Sequence, residues 1–222
     1  MSDRRIQTPA APRIAAGCLL IVSAAGLACG CGPRDTRFEI LDYRTGAQTV
    51  AYFEEFDECY YQVDPAGNVD LVARRKRLPA RRDGDPDKLL VQLLHVRTFF
   101  TPIPGHTNVE STMINTTVSY LIVSGETGAS FEGGGFVSFS HPPGARRAFS
   151  IGPGVLTGWL ESSSLSPQRR KGDAPQVFQR ASVTGRFRAT ENQRQVVKLL
   201  NDMQRRLGPL PRYEPPPGEQ PL

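Results

Sequence analysis

A lone internal cysteine, a cluster of acids and three scattered histidines are the side chains of this 222-residue chain best suited to chemistry. Cys59 could serve as a thiol nucleophile with a histidine as its base. It sits beside Tyr60 and Tyr61. Free cysteine is among the most buried residue types, so the expectation is an inert, buried thiol. Glu54, Glu55, Asp57 and Glu58 offer paired carboxylates, which do acid–base work when burial drives their pKa values apart. If this run is a strand, alternate residues point to opposite faces and the cluster is divided. His95, His106 and His141 lack the short spacing of a zinc motif, and no cysteine pair accompanies them. His95 is expected in a strand, and the other two in loops rich in proline and glycine.

Asp83-Gly84-Asp85-Pro86-Asp87 sets carboxylates at alternate positions, as calcium loops do. An EF-hand also requires Gly at its sixth position and Glu at its twelfth. Here those places hold Lys88 and Leu94, and Arg81 and Arg82 adjoin the run. Asp83, Asp85 and Asp87 are therefore weak metal candidates in what reads as a solvated loop, and neither a metal nor a cofactor is expected. The glycine-rich segments are not phosphate loops: 125–130 lacks the lysine, and Gly152-Pro153-Gly154 precedes no predicted helix. No G-x-S-x-G nucleophile elbow occurs. With no catalytic constellation, the chain reads as a non-enzyme, and a hydrolase built on Cys59 or the acidic cluster ranks last.

Three basic runs remain: Arg74-Arg75-Lys76-Arg77, Arg146-Arg147 and Arg169-Arg170-Lys171. All are expected at strand ends or in loops. Arg74, Arg75, Lys76 and Arg77 are the candidates for contact with a membrane surface, where each charge near anionic head groups contributes about 1 kcal/mol.

The first residues carry the clearest address. Arg4, Arg5 and Arg13 precede an apolar, small-residue run from Ile14 to Ala28 that ends at Cys29-Gly30-Cys31. The run falls short of the roughly 20 apolar residues of a spanning helix and fits the central region of an export signal. The stretch resembles the signal peptides of bacterial lipoproteins. That resemblance implies cleavage after residue 30 and acylation of Cys31, with Cys29 as the alternative, by a diacylglyceryl thioether and an N-acyl chain of the palmitate kind. It also implies an exported protein anchored to a bacterial membrane and facing the periplasm. Each buried methylene contributes about 0.8 kcal/mol, so two or more chains hold a protein stably. Residues 31–37 then form a stalk reaching about 20 Å when extended, which keeps the folded part near the membrane.

The net charge is +5. Loss of Arg4, Arg5, Arg13 and Asp3 with the signal lowers it by two. This mild excess suits anionic lipid or cell-wall polymer, and no nucleic acid is expected as a partner. Cys18 and Cys29 leave with the signal and Cys31 is acylated, so Cys59 has no disulfide partner and the core alone must hold the fold.

The mature region alternates like β structure. Glu58–Val63 and Val69–Arg74 flank Asp64-Pro65-Ala66-Gly67-Asn68, a hairpin signal. Val91–Phe100 is expected to be a strand buried partly on both faces, and Ser111–Ser124 the clearest long strand. Phe131–Ser140 carries Gly133, Gly134 and Gly135, which predict a bulge or close backbone approach. Gly154–Ser164 and Ser182–Ala189 add strands, the last with Val183 and Phe187 inward and Arg186 and Arg188 outward. Residues 45–57 read equally as a strand or a short helix. A helix over about 191–207 is signalled by Thr190 as cap, by Gln193, and by the stripe Val196, Val197, Leu199, Leu200, Met203 and Leu207. Gly208-Pro209 ends it, and 209–222 reads as a mobile proline-rich tail.

The expected fold is mainly β: an antiparallel barrel, or a strongly curved sheet or sandwich, with one C-terminal amphipathic helix, in a single domain over 38–208. The function expected is a structural, assembly or binding module of the envelope. The alternative is a carrier of a small apolar ligand, since a lipid-anchored antiparallel barrel with a C-terminal helix resembles bacterial lipocalins in architecture. The glycine-tryptophan signature of that family is missing, because the sole tryptophan, Trp159, lies late in the chain.

Overall fold

Alternating apolar and polar residues form strands wherever one face can be buried, and among the described residues nine segments do so. A computed structural model describes residues 35–43, 49–77, 89–101, 113–143, 153–172, 178 and 180–212. The strands are β1 (Arg37–Asp42), β2 (Val50–Glu55), β3 (Glu58–Val63), β4 (Val69–Arg77), β5 (Leu90–Thr98), β6 (Thr116–Ser124), β7 (Thr127–Phe139), β8 (Val155–Lys171) and β9 (Ala181–Glu191), followed by α1 (Gln193–Leu207). They make one sheet in the order β2-β1-β9-β3-β4-β5-β6-β7-β8, and an additional β8–β9 pairing closes the strands from β3 to β9 into a ring.

The sheet is mixed, where an antiparallel one was expected. β3 runs parallel to β9 through Tyr60↔Thr190 and Tyr61↔Glu191. β1 occupies the other stretch of the same β9 edge, pairing antiparallel from Arg37↔Arg186 to Asp42↔Ala181. β1 itself was not foreseen as a strand; its residues were divided between stalk and domain. Thr36, within the expected stalk, is buried. Its carbonyl accepts from the Phe56 N–H at 3.0 Å, and its hydroxyl accepts from the Arg188 N–H at 3.1 Å. The ambiguous segment 45–57 contributes β2.

Inward-facing residues of all these strands build the main core, with Phe38, Tyr120, Phe131, Phe178, Leu156 and Leu160 among its largest fully buried side chains. A ladder of rings crosses the interior: Tyr52–Phe178 at 5.4 Å, Phe178–Phe131 at 5.0 Å and Phe131–Tyr120 at 6.4 Å between centroids. A second cluster lies outside the ring, where Val196, Leu199 and Met203 of α1 cover Val72, Val91, Leu93, Leu121 and Val123. This is why both Leu93 and Leu94 of β5 are buried. Val197, counted in the apolar stripe of the sequence, turns to solvent.

The helix begins later than expected. Asn192 is the cap, its Oδ1 accepting from the Gln195 N–H at 3.1 Å, while Thr190 and Glu191 still belong to β9. The Asn192 N–H donates to the Tyr61 carbonyl at 3.0 Å, tying the helix start to β3. Beyond the helix the first residues of the expected tail are docked. Leu210 is buried, the Arg170 N–H donates to the Pro211 carbonyl, and Arg169 donates to the carbonyls of Leu207, the last helical residue, and Leu210 beyond it.

The glycine triplet of β7 marks both a bulge and a close approach. The β7–β8 register shifts between Glu132 and Phe136. A Cβ on Gly133 would lie 1.7 Å from the Ser164 carbonyl oxygen, and one on Gly135 would lie 1.7 Å from Ser163 Oγ. β8 answers with its own irregularity against β9 between Leu160 and Ser163. Gly133→Ala must push two strands apart, so it should lower stability by about 1–3 kcal/mol. Gly67→Ala, in open space at the hairpin tip with φ +85°, carries only the backbone penalty. Urea unfolding of the two variants should rank them in that order.

Candidate functional site

Among the described residues, most of the side chains that the sequence offers for chemistry are engaged by the fold. Cys59 of β3 faces the main core and is buried. Burial raises its thiol from 9.0 to about 12, outweighing a hydrogen bond with the Thr36 side chain that lowers it. The acidic cluster is divided as a strand requires. Glu54 is buried and paired with Arg75; Glu55 meets Arg37 at 2.5 Å on the surface; Glu58 meets Arg74 at 2.5 Å. Asp57 Oδ2 accepts from the Lys76 N–H at 3.2 Å.

These pairs correct the assignment of Arg74, Arg75, Lys76 and Arg77 as one membrane-facing run. All four lie on β4, but Arg75 points into the interior with 4 % of its surface exposed, and Arg74 is half-buried against Glu58. The cause is the pleat. Val69, Leu71 and Ala73 face the main core, so Arg75 follows them inward. Pairing of β3 with β4 ends at Glu58↔Arg74, and beyond that point Glu54 of β2 supplies the countercharge. Lys76 is exposed.

His95 sits on β5 as expected. Its Nε2 donates to Asp70 Oδ1 at 3.1 Å, and Gln62 donates to the other carboxylate oxygen at 3.3 Å. The His95 hydrogen bond, helped by Gln62 and the nearby Arg97 charge, holds the Asp70 carboxyl below its ordinary range against the opposing effect of burial. His141 bonds the Val155 carbonyl in a surface turn. His106, Asp83, Asp85, Asp87, Arg146, Arg147, Cys29 and Cys31 lie outside the described residues. Among the described residues no three His, Cys, Asp or Glu side chains are grouped to hold a metal ion, and no helix is long and apolar enough to cross a membrane.

A different surface gathers unspent binding groups. Cross-strand pairs on one face of a sheet stand side by side, and the registers Ser138↔Trp159, Trp159↔Arg186, Arg186↔Arg37 and Arg37↔Glu55 set one row across five strands. The next row holds Thr184↔Glu39 and Glu39↔Phe53. α1 packs on β3, β4 and β6, leaving this face to water. Trp159 is 45 % exposed and Phe53 65 %. Fully burying a phenylalanine contributes about 1.5–3 kcal/mol, so the fold forgoes at two aromatics what it gains at Phe38, Phe131 and Phe178.

Two concavities flank Trp159. One, of about 320 Å³, is bounded by Arg37, Glu39, Phe53, Trp159, Thr184 and Arg186. The other, of about 520 Å³, is bounded by Asp35, Ser138, Ser140, Thr157, Trp159 and Arg188. Glycines shape both. Gly158 lets the Phe187 ring lie against β8, where a Cβ would come within 2.6 Å of it, and Gly185 lets β1 approach, where a Cβ would come within 2.3 Å of the Arg37 carbonyl oxygen. Sequence reasoning placed Arg186 and Arg188 outward, as they are, but passed over Trp159, Phe53, Arg37 and Glu39. The signal for Trp159 was present: Leu156 and Leu160 face inward, so position 159 of an alternating strand faces out.

The chain matches no protein-family model, no curated protein and no solved structure.

Two outcomes follow from the engaged groups. Arg75→Ala removes the guanidinium that Glu54 meets in the interior and should lower stability by about 3–5 kcal/mol, whereas Glu54→Leu with Arg75→Met should unfold near the native urea midpoint. Iodoacetamide at pH 8 should leave Cys59 unmodified in the folded chain and alkylate it on unfolding, as thiol quantitation by mass spectrometry would show.

Proposed function

We propose that this chain is an exported, lipid-anchored protein of a bacterial envelope whose β domain is a non-enzymatic binding or assembly module, and that the Trp159 face is its contact surface. The observation that carries the reading is the pair of exposed aromatics, Trp159 and Phe53, set among charged residues on a sheet face that α1 leaves uncovered. Exposed apolar surface rimmed by polar groups is the usual mark of an interaction site. The groups that would serve a hydrolase point the same way: Cys59 is buried with a raised pKa, and Glu54 and Glu58 are tied to arginines.

On this reading the ring of strands is a closed, filled barrel. The ring ladder from Tyr52 through Phe178 and Phe131 to Tyr120 occupies the interior that a lipocalin-like carrier would keep for its ligand, which supports a surface-binding module over that alternative. The anchor is Cys31, with Cys29 as the other candidate. Asp35, four residues beyond Cys31, lines the larger concavity. A four-residue connection spans at most about 14 Å, so the acylated chain would hold the Trp159 face close to the membrane.

Mass spectrometry of the membrane-extracted protein tests the anchor. The expected species lacks residues 1–30 and carries acyl chains on Cys31, and Cys31→Ser releases the protein from the membrane fraction. A species acylated at Cys29 moves the site by two residues. An unacylated N-terminus overturns the anchored reading.

A further inference from the structure

The charges around Trp159 identify the class of partner the face fits. Arg37 is engaged by Glu55 at 2.5 Å, and Arg188 stands 3.7 Å from Asp35. The side chains of Arg186 and Glu39 have no hydrogen-bond or ion-pair partner among the described residues. Both border the smaller concavity, together with the Trp159 and Phe53 rings and the Thr184 hydroxyl. The site therefore offers aromatic surface, one uncommitted guanidinium, one uncommitted carboxylate and no net charge between them.

Each alternative ligand chemistry leaves one of these groups badly served. A polyanion or an anionic lipid head group would satisfy Arg186 but meet Glu39 as a like charge. An apolar ligand would cover both charges and strand them without partners. An extended peptide is read at a sheet edge, where main-chain groups are open; the open edge here is that of β2, and a strand added to it would lie beyond Glu39 and Arg186, which stand on the inner strands β1 and β9. A sugar ring matches the set. Its C–H face is apolar and flat enough to lie on an indole, and its rim of hydroxyl or amide groups both donates and accepts. A carboxylate and a guanidinium can each bind two such neighbours at once.

The second concavity offers room for a further unit beside the first. It continues on the other side of Trp159, and its hydroxyl-bearing residues, Ser138, Ser140 and Thr157, suit a second polar ring.

We propose that this face binds an uncharged glycan chain, with Trp159 as the stacking platform between two sugar subsites and Glu39 and Arg186 as the hydrogen-bonding pair of the smaller one. The proposal rests on the Trp159 face being the contact surface, and it adds what that surface contacts.

Trp159 is the sole tryptophan, so its emission reports directly on the site. The full-length protein in detergent is titrated with N-acetylchitotetraose and with cellotetraose, and in parallel with polygalacturonate and with phosphatidylglycerol vesicles. The expected result is a saturable change in Trp159 emission with at least one uncharged oligosaccharide. Arg186→Met and Glu39→Gln should each weaken it about tenfold, the size of one hydrogen bond to a charged group, at an unchanged unfolding midpoint. Calorimetry should show that Trp159→Ala abolishes the heat of binding.

No saturable response to either uncharged oligosaccharide, by fluorescence and by calorimetry, overturns the proposal. A response to polygalacturonate or vesicles alone also overturns it while leaving the contact surface standing. The contact surface itself is tested separately by maleimide labelling of Thr157→Cys on the rim. Equal labelling in intact envelopes and in purified protein overturns that reading.

Discussion

β9 is the strand on which the rest of the molecule depends. One of its edges carries β8, and the other is shared end to end by β1, antiparallel, and β3, parallel. A strand presents one donor and one acceptor per residue, and buried ones must be paired. Sharing the edge lets eleven residues of β9 close the ring and also hold the β1–β2 pair. The arrangement requires that β9 bury one face and expose the other along its length. Val183, Phe187 and Ala189 face the core, while Arg186 and Arg188 face water. It also requires a glycine at position 185, where β1 passes too close for a Cβ. The helix inherits its place from the same strand. It starts two residues after β9 ends, and its cap is bonded to β3.

The buried charges show how the closure is finished. Where β3 stops pairing, β4 continues, and Arg75 turns inward with the phase of the pleat. Burial of an ion costs several kcal/mol unless a partner is supplied, and Glu54 of β2 supplies it. The acidic run and the basic run of the sequence, which looked like two functional patches, are largely each other's partners: Glu54 with Arg75, Glu58 with Arg74, and Asp57 with the Lys76 amide. They join β2 and β3 to β4. The Trp159 face is covered neither by this network nor by α1.

Local alternation made most of the strands legible, along with the 64–68 hairpin, the bulged glycines of β7 and a helix close to its observed place. Positions where alternation failed to decide were those with neighbours on both faces. Leu93 and Leu121 look misplaced on a two-faced strand until α1 is laid over them. β1 was lost because Arg37–Asp42 is short and adjoins a segment read as stalk. Its partners, β2 and the first half of β9, are respectively adjacent in sequence and more than a hundred residues away. Thr190 resembled a cap because Gln193 follows it at capping spacing, but β9 holds its backbone in the ladder and Asn192 takes the role.

The amino-acid sequence by itself determined the periodicities: which residues of each strand share a face and where turns must fall. Only the tertiary structure decided what each face meets. Alternation says that Arg75 and Trp159 lie on opposite sides from their neighbours, and nothing in it distinguishes the inside of a ring from the outside. Closure of β8 on β9 makes that distinction, because it encloses one face of every strand in the ring. It sends Arg75 inward to Glu54 and leaves Trp159, Phe53, Arg186 and Glu39, drawn from four strands, side by side in water.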